Sequence, residues 1–393
     1  MKREVDIASY FALVVAFATL FMNQFLFYSK TRVDLKHGIS AIGGMGGCFW
    51  ILLALLAINF VLVFLIGKTH KNNYRILLAF SCGIAIAVLL YFANETARNF
   101  PGQTNTLRVS LSIGAYLFIL QMYLLIEKSA SAFKNKYMKF VLYLPLVVSI
   151  VILLLTGNLE QLSIFKEYRA RSTQFSTEFF KHMGMVYAVL ITSIVIGIPL
   201  GWYMTKNSKW EHGVSSFLST IESIPSVAFM FIIMFPLAFI NRNVPLANKI
   251  GISGIGATPV FIGLLFYSLF HIVNGTFSSI KNIEGKYIEV AKGMGMSMGD
   301  IFKKVELPLA LPVILSSIKV ASIVTISGTT LGAFVGFGGL GVFILQGSSG
   351  FAIDLILLGA LPILLLIVLV AITIDILIDL ISLYTLRKGR MTV

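Results

Sequence analysis

The feature that most constrains this chain is a series of about ten apolar runs, most of them near the ~20 residues that cross a bilayer as helix. They occupy residues 9–28, 42–66, 76–93, 109–126, 140–156, 183–205, 214–240, 258–280, 309–331 and 355–384. The last run exceeds what a bilayer requires, so it tilts or continues past the headgroups. The expected fold class is all-α integral membrane, with about ten transmembrane helices.

Composition agrees. Hydrophobic residues make up 57% of the chain and charged ones 12%, about half the charged share of a soluble protein. Lys and Arg number 31 against 17 Asp and Glu, a balance that elsewhere suggests nucleic acid. Here the basic residues sit in short loops between apolar runs, where they act as topology signals, and no basic stripe carries interleaved aromatics. Nucleic-acid binding is therefore excluded, and the surrounding partner is the lipid bilayer. Cys48 and Cys82 both lie inside apolar runs and read as small buried hydrophobes. Met1-Lys2-Arg3 precedes an apolar run without a small-residue cleavage pattern, which reads as an uncleaved first span.

Counting basic residues loop by loop orients the chain. With the N-terminus inside, the inner segments hold Lys2, Arg3, Lys68, Lys134, Lys206, Lys286, Lys303, Lys304, Arg387 and Arg390 among others. The outer segments, with Arg32, Arg98, Arg169 and Arg242, hold fewer, so both termini are expected in the cytoplasm. Residues 1–156 form one five-span block, 157–181 a polar extracytoplasmic connector, and 182–393 a second five-span block with loops richer in Gly and Pro. The blocks show no internal repeat, which gives an inverted-repeat secondary transporter little support.

Most enzyme signatures are absent: HExxH does not occur, and no Cys/His cluster has metal-ligand spacing. Gly67-Lys68-Thr69 looks like the end of a phosphate loop, but Leu62 stands where its first glycine belongs. The chain therefore reads as a non-enzyme without a cofactor of its own.

The informative stretch is the cytoplasmic loop 281–308. It runs Glu289-Val290-Ala291, three residues, Gly295, nine residues, then Val305-Glu306-Leu307-Pro308. Residues 283–291, which include Glu284, suit a short helix along the membrane surface. Gly293, Gly295 and Gly299 permit a sharp turn with close backbone approach, and Asp300 is placed to cap the next turn. Ile301, Phe302 and Val305 give that turn an apolar face, and Pro308 sets the entry into the following span. The product is a helix–turn–helix knob able to plug into a groove on a partner.

This loop resembles the coupling signature of ABC importer permeases, Glu-Ala-Ala, three residues, Gly, nine residues, Ile, one residue, Leu-Pro, departing at Val290 and Val305. Further motifs extend the resemblance over about residues 175–385. They are His182-Met183, Gly197 to Gly201, Ile221 to Ser226, Lys292 to Met296, Val305 to Pro312 and Gly336 to Gly341. Together they look like osmoprotectant permeases, subunits of importers for glycine betaine, choline, carnitine and related quaternary amines. Glu222 stands where that family usually has Gln, and Lys319 where it often has Arg. The resemblance implies a type I importer core in the second block, in a bacterial cytoplasmic membrane. It also implies a separate ABC ATPase subunit carrying ATP and Mg, an extracytoplasmic substrate-binding protein and a second permease subunit. The coupling residues it points to are Glu284, Glu289, Ala291, Gly293, Gly295, Asp300, Leu307 and Pro308. The first five spans resemble an N-terminal extension found in one subgroup.

Polar residues inside spans are costly and mark function by default. Glu222 lies in the seventh run just before Pro225, where a bend suits a gate. Ser223, Ser226, His271 and Asn274 complete the candidate path, with structural hydrogen bonding the favoured reading for the last two. Lys319 reads as snorkelling to the surface, and Asp375 with Asp379 as solvated or paired acids. Left open are a permease for another small zwitterion, a secondary transporter, and homodimer against heterodimer.

Overall fold

The computed structural model describes residues 7–30, 36–69, 71–100, 107–133, 135–249 and 251–390. Lys2, Arg3, Arg32 and Lys134, used above for orientation, lie outside them. The chain divides into two compact units, Met1–Ala170 and Arg171–Val393.

The first unit begins with the short apolar helix α1 (Ile7–Leu20). Strands β1 (Leu26–Ser29) and β2 (His37–Ile39) follow, then α2 (Ala41–Met45), α3 (Gly47–Thr69) and α4 (Asn72–Arg98). Strand β3 (Arg108–Leu111), α5 (Ile113–Ser131), α6 (Lys136–Leu155) and α7 (Ser163–Ala170) complete it. Among the described residues α3 to α6 are long and apolar enough to cross a membrane, and α1 is shorter. One continuous core joins Leu13, Leu20, Phe25, Leu52, Leu89, Phe118 and Met122. The strands, which hydropathy did not announce, form a small antiparallel sheet in the order β2-β1-β3. Buried Glu167 of α7 pairs with Arg108 of β3, and the Lys166 ammonium donates to the Leu107 carbonyl at 2.9 Å. Partial burial, with Arg108 nearby, lowers the Lys166 pKa.

The second unit comprises α8 (Ser172–Met204), α9 (Ser208–Ser223), α10 (Ser226–Asn243), α11 (Pro245–Lys249), α12 (Ala257–Lys281) and α13 (Gly285–Gly293). α14 (Met298–Ile301), α15 (Leu307–Thr329), α16 (Gly341–Ser349) and α17 (Ile353–Arg390) follow. Five membrane-length helical segments, containing α8, α10, α12, α15 and α17, lie in this unit among the described residues. The stretch 157–181, read as a polar connector, is largely helix: α7 closes the first unit and α8 opens the second at Ser172. Helix α12 is the centre of the second unit, packed between α8 and α15. Small residues make those crossings close. A Cβ on Gly201 would stand 2.7 Å from the Val273 carbonyl oxygen, and one on Gly275 would overlap Ser317.

One expectation changes. The run 214–240 is not one bent span: α9 ends at Ser223 and α10 starts at Ser226, with Ile224 and Pro225 extended between them. Pro225 cannot donate a helical hydrogen bond, and Ile224, as the residue before proline, is driven out of the helical region. Lys319, read above as reaching for the surface, has a charged partner. Its ammonium lies 2.6 Å from the Asp375 carboxylate, across from α15 to α17.

Candidate coupling knob and translocation path

The knob is built from α13 and the turn after it. Helix α13 starts at Glu284, whose carboxylate pairs with Lys286 rather than capping the helix. Ala291 is buried and seats the helix, while Glu289 points to solvent. Tyr287, Val290, Met294 and Met298 are all exposed, Val290 at 63% and Met294 at 76%. Tyr287, Val290 and Met294 follow at helical spacing and Met298 lies past the turn on α14; such an exposed apolar cluster is what a docking surface offers.

Gly295 ends the helix in a Schellman arrangement. Its φ is 77°, the Met296 N–H donates to the Ala291 carbonyl at 3.2 Å, and its own N–H donates to the Lys292 carbonyl at 2.9 Å. The expected close backbone approach is not what requires glycine, since a Cβ there would meet nothing within 4 Å. The left-handed φ requires it. Gly293 and Gly299 are ordinary helical positions in open space.

Asp300 does not cap the next helix; Ser297 does. The Ser297 hydroxyl oxygen accepts from the Asp300 N–H at 3.2 Å and donates to the Asp300 carboxylate at 2.6 Å. Asp300 also pairs with Lys304, one turn on, at 2.8 Å. Beyond it the chain does not stop and re-enter at Pro308: α14 runs through a π-helical segment, Phe302–Glu306, into α15 as one rod. The widened turn lies just ahead of Pro308, whose missing N–H and ring clash at the Lys304 carbonyl a regular helix would not absorb. Leu307 and Phe302 pack with Ile283, Ile198 and Trp202 around Ile280, Ala310 and Ile314, which roots the knob in the bundle.

The candidate path residues gather at the α9–α10 break. Glu222 and Ser223 end α9, exposed, and Pro225 is exposed beside them. The Ile224 carbonyl, left without a helical partner, accepts from the Tyr267 hydroxyl of α12. Glu222 acts electrostatically on both Tyr267 and His271, so these three groups are neighbours. The Ser223 hydroxyl is spent on the Thr220 carbonyl at 2.7 Å. Ser226 opens α10, and Asn274 stands about one turn along α12 from His271. Tyr267 was not singled out from sequence, because only the break gives its hydroxyl a task. Glu306 was also missed, because next to Lys303-Lys304 and ahead of the apolar run from Leu307 it reads as the last charge of a solvated loop.

A unit of membrane-length helices with such a knob between two of them has the build of a membrane transport permease. The chain belongs to the family of binding-protein-dependent transport system inner membrane components, whose model matches residues 193–383. Residues 6–165 match the N-terminal domain of the ABC transporter permease YehY. Curated relatives include the glycine betaine/carnitine/choline transport system permease protein OpuCD of Bacillus subtilis, 38% identical over 47% of this chain and 74% of that protein. The choline transport system permease protein OpuBD of the same organism is 35% identical over 52% and 83%. The osmoprotectant import permease protein OsmW of Salmonella typhimurium is 32% identical over 48% and 82%. An inward-facing structure of the MetNI methionine ABC transporter aligns with a TM-score of 0.46 and 23% identity, over 53% of this chain and 95% of that one.

Proposed function

We propose that this chain is the permease subunit of an ATP-driven importer of osmoprotectants of the glycine betaine, choline or carnitine type. It lies in the bacterial inner membrane with both termini in the cytoplasm. The observation that carries the reading is the knob: a rigid Schellman turn on a seated helix, with Tyr287, Val290, Met294 and Met298 exposed along it. The relatives named for these solutes support the substrate class.

In this reading the knob docks on an ABC ATPase subunit, which holds ATP and Mg. A second permease subunit completes the pore, and an extracytoplasmic binding protein delivers the solute. Glu284, Glu289, Ala291, Gly293, Gly295, Asp300, Leu307 and Pro308 form the coupling segment. Glu222, Ser223, Pro225, Ser226, His271 and Asn274 line the path, where the Glu222 carboxylate faces a cationic headgroup.

The test is co-expression with the ATPase and binding protein encoded beside it, followed by uptake of radiolabelled glycine betaine, choline and carnitine into proteoliposomes. ATP-dependent uptake of at least one is expected. A neighbouring binding protein that holds none of them, but binds another small zwitterion, would reassign the substrate.

A further inference from the structure

Glu306 is the most completely buried carboxylate of the second unit, 1% exposed, yet it lies in the segment that joins the knob to α15. Both of its oxygens are engaged by the cytoplasmic end of α8. Oε2 accepts from the Trp202 indole N–H at 2.9 Å, and Oε1 pairs with the Lys206 ammonium at 2.7 Å. The Trp202 ring also packs on Phe302, centroids 4.8 Å apart. A buried charge is tolerated only when paired and hydrogen-bonded, and its removal from one side leaves the other stranded. The backbone beneath Glu306 is π-helical, a geometry that recurs at functional positions because it re-aims side chains. Here it turns Glu306 toward α8.

We infer that Glu306 is a positioning residue for coupling: with Trp202 and Lys206 it straps the knob-bearing rod to α8, so that both helices move as one body when the knob is displaced. The inference rests on the reading that the knob meets an ATPase. The strap is local and charge-assisted, so it resists sliding between the rod and α8 in a way that apolar packing alone does not. Coupling between distant sites needs an element with a defined arrangement that both sites bias, and this strap supplies the join.

The experiment uses the assembled importer in lipid nanodiscs, in a Cys48→Ser, Cys82→Ala background. Spin labels are placed at Lys292→Cys on the knob, off the apolar row, and Tyr203→Cys on α8, both exposed. The label–label distance in the wild type should be the same without nucleotide and with ATP trapped by vanadate. Glu306→Gln should broaden and shift it on ATP binding. The distance arm needs no substrate. In parallel, glycine betaine carried per ATP hydrolysed should fall about tenfold in Glu306→Gln, within the usual span of allosteric couplings. Trp202→Phe and Lys206→Met, each removing one bond, should show intermediate losses even where Glu306→Gln folds poorly. A wild-type distance that moves with ATP as it does in the variants overturns the inference, and so does unchanged coupling in all three. Absence of bound ATPase from the wild-type complex would refute the docking reading and this inference together. A bound ATPase with intact coupling in Glu306→Gln refutes this inference alone.

Discussion

Lys319 and Asp375, 56 positions apart in the chain, hold one another across α15 and α17, with the ammonium 2.6 Å from the carboxylate. Each charge inside a span is expensive alone and is made tolerable by the other. Lys319→Met and Asp375→Leu should each lower the detergent melting temperature of the purified protein. The double variant should recover part of the loss, giving an interaction of about 1 kcal/mol or more in a double-mutant cycle. Strict additivity would show that the two charges do not support each other.

At Gly295 the demand is conformational. A left-handed φ costs an L-residue about 1–2 kcal/mol, with Asn the least penalised replacement. Gly295→Ala and Gly295→Leu should therefore impair ATPase co-purification and coupled hydrolysis to similar degrees, with membrane insertion intact. Gly295→Asn should be milder than either. A steep dependence on side-chain size would instead identify a crowded contact with the partner.

The basic residues predict the sidedness proposed above, and labelling checks it. In a background lacking Cys48 and Cys82, Glu160→Cys should react with an impermeant maleimide on intact cells. Lys286→Cys should react only after permeabilisation. Outside labelling at position 286 would reverse the topology and remove the knob from the ATP side.

The α9–α10 break is held by the Tyr267 hydroxyl on the Ile224 carbonyl. Tyr267→Phe and Pro225→Leu should reduce uptake while leaving ATPase binding unchanged, because the knob lies elsewhere on the second unit. Glu222→Gln should slow uptake without altering solute affinity of the binding protein. By contrast, a chain beginning at Arg171 should still insert and bind the ATPase, since the second unit has its own packed clusters. Loss of ATPase binding in that truncation would give the first unit a structural part in the core.

Much of this was legible because it is local. The membrane class follows from run length, and the spacing from Glu289 through Gly295 to Leu307-Pro308 marks the knob without any tertiary information. What escaped is what depends on partners far along the chain. Glu306 needs Trp202 and Lys206, Lys319 needs Asp375, and no periodicity links them. The run 214–240 misled because averaging hydropathy across Pro225 merges the second half of amphipathic α9, with its serines and Glu222, into the apolar α10. The small sheet escaped because strands of three or four residues between spans carry too few positions for an alternating pattern.

The continuity of the helix across Pro308 has a mechanical consequence. From Met298 to Val335 the chain forms 38 residues of unbroken helix, roughly 57 Å at helical rise. Such a rod works as a lever: pivoted near one end, a tilt of about 5° sweeps the other by roughly 5 Å, comparable to one helical turn. A hinge at Pro308 would have absorbed the displacement beside the knob. With one turn widened and the rod kept whole, a small push at Met298 would reach the glycine-rich segment 336–341 at the opposite end.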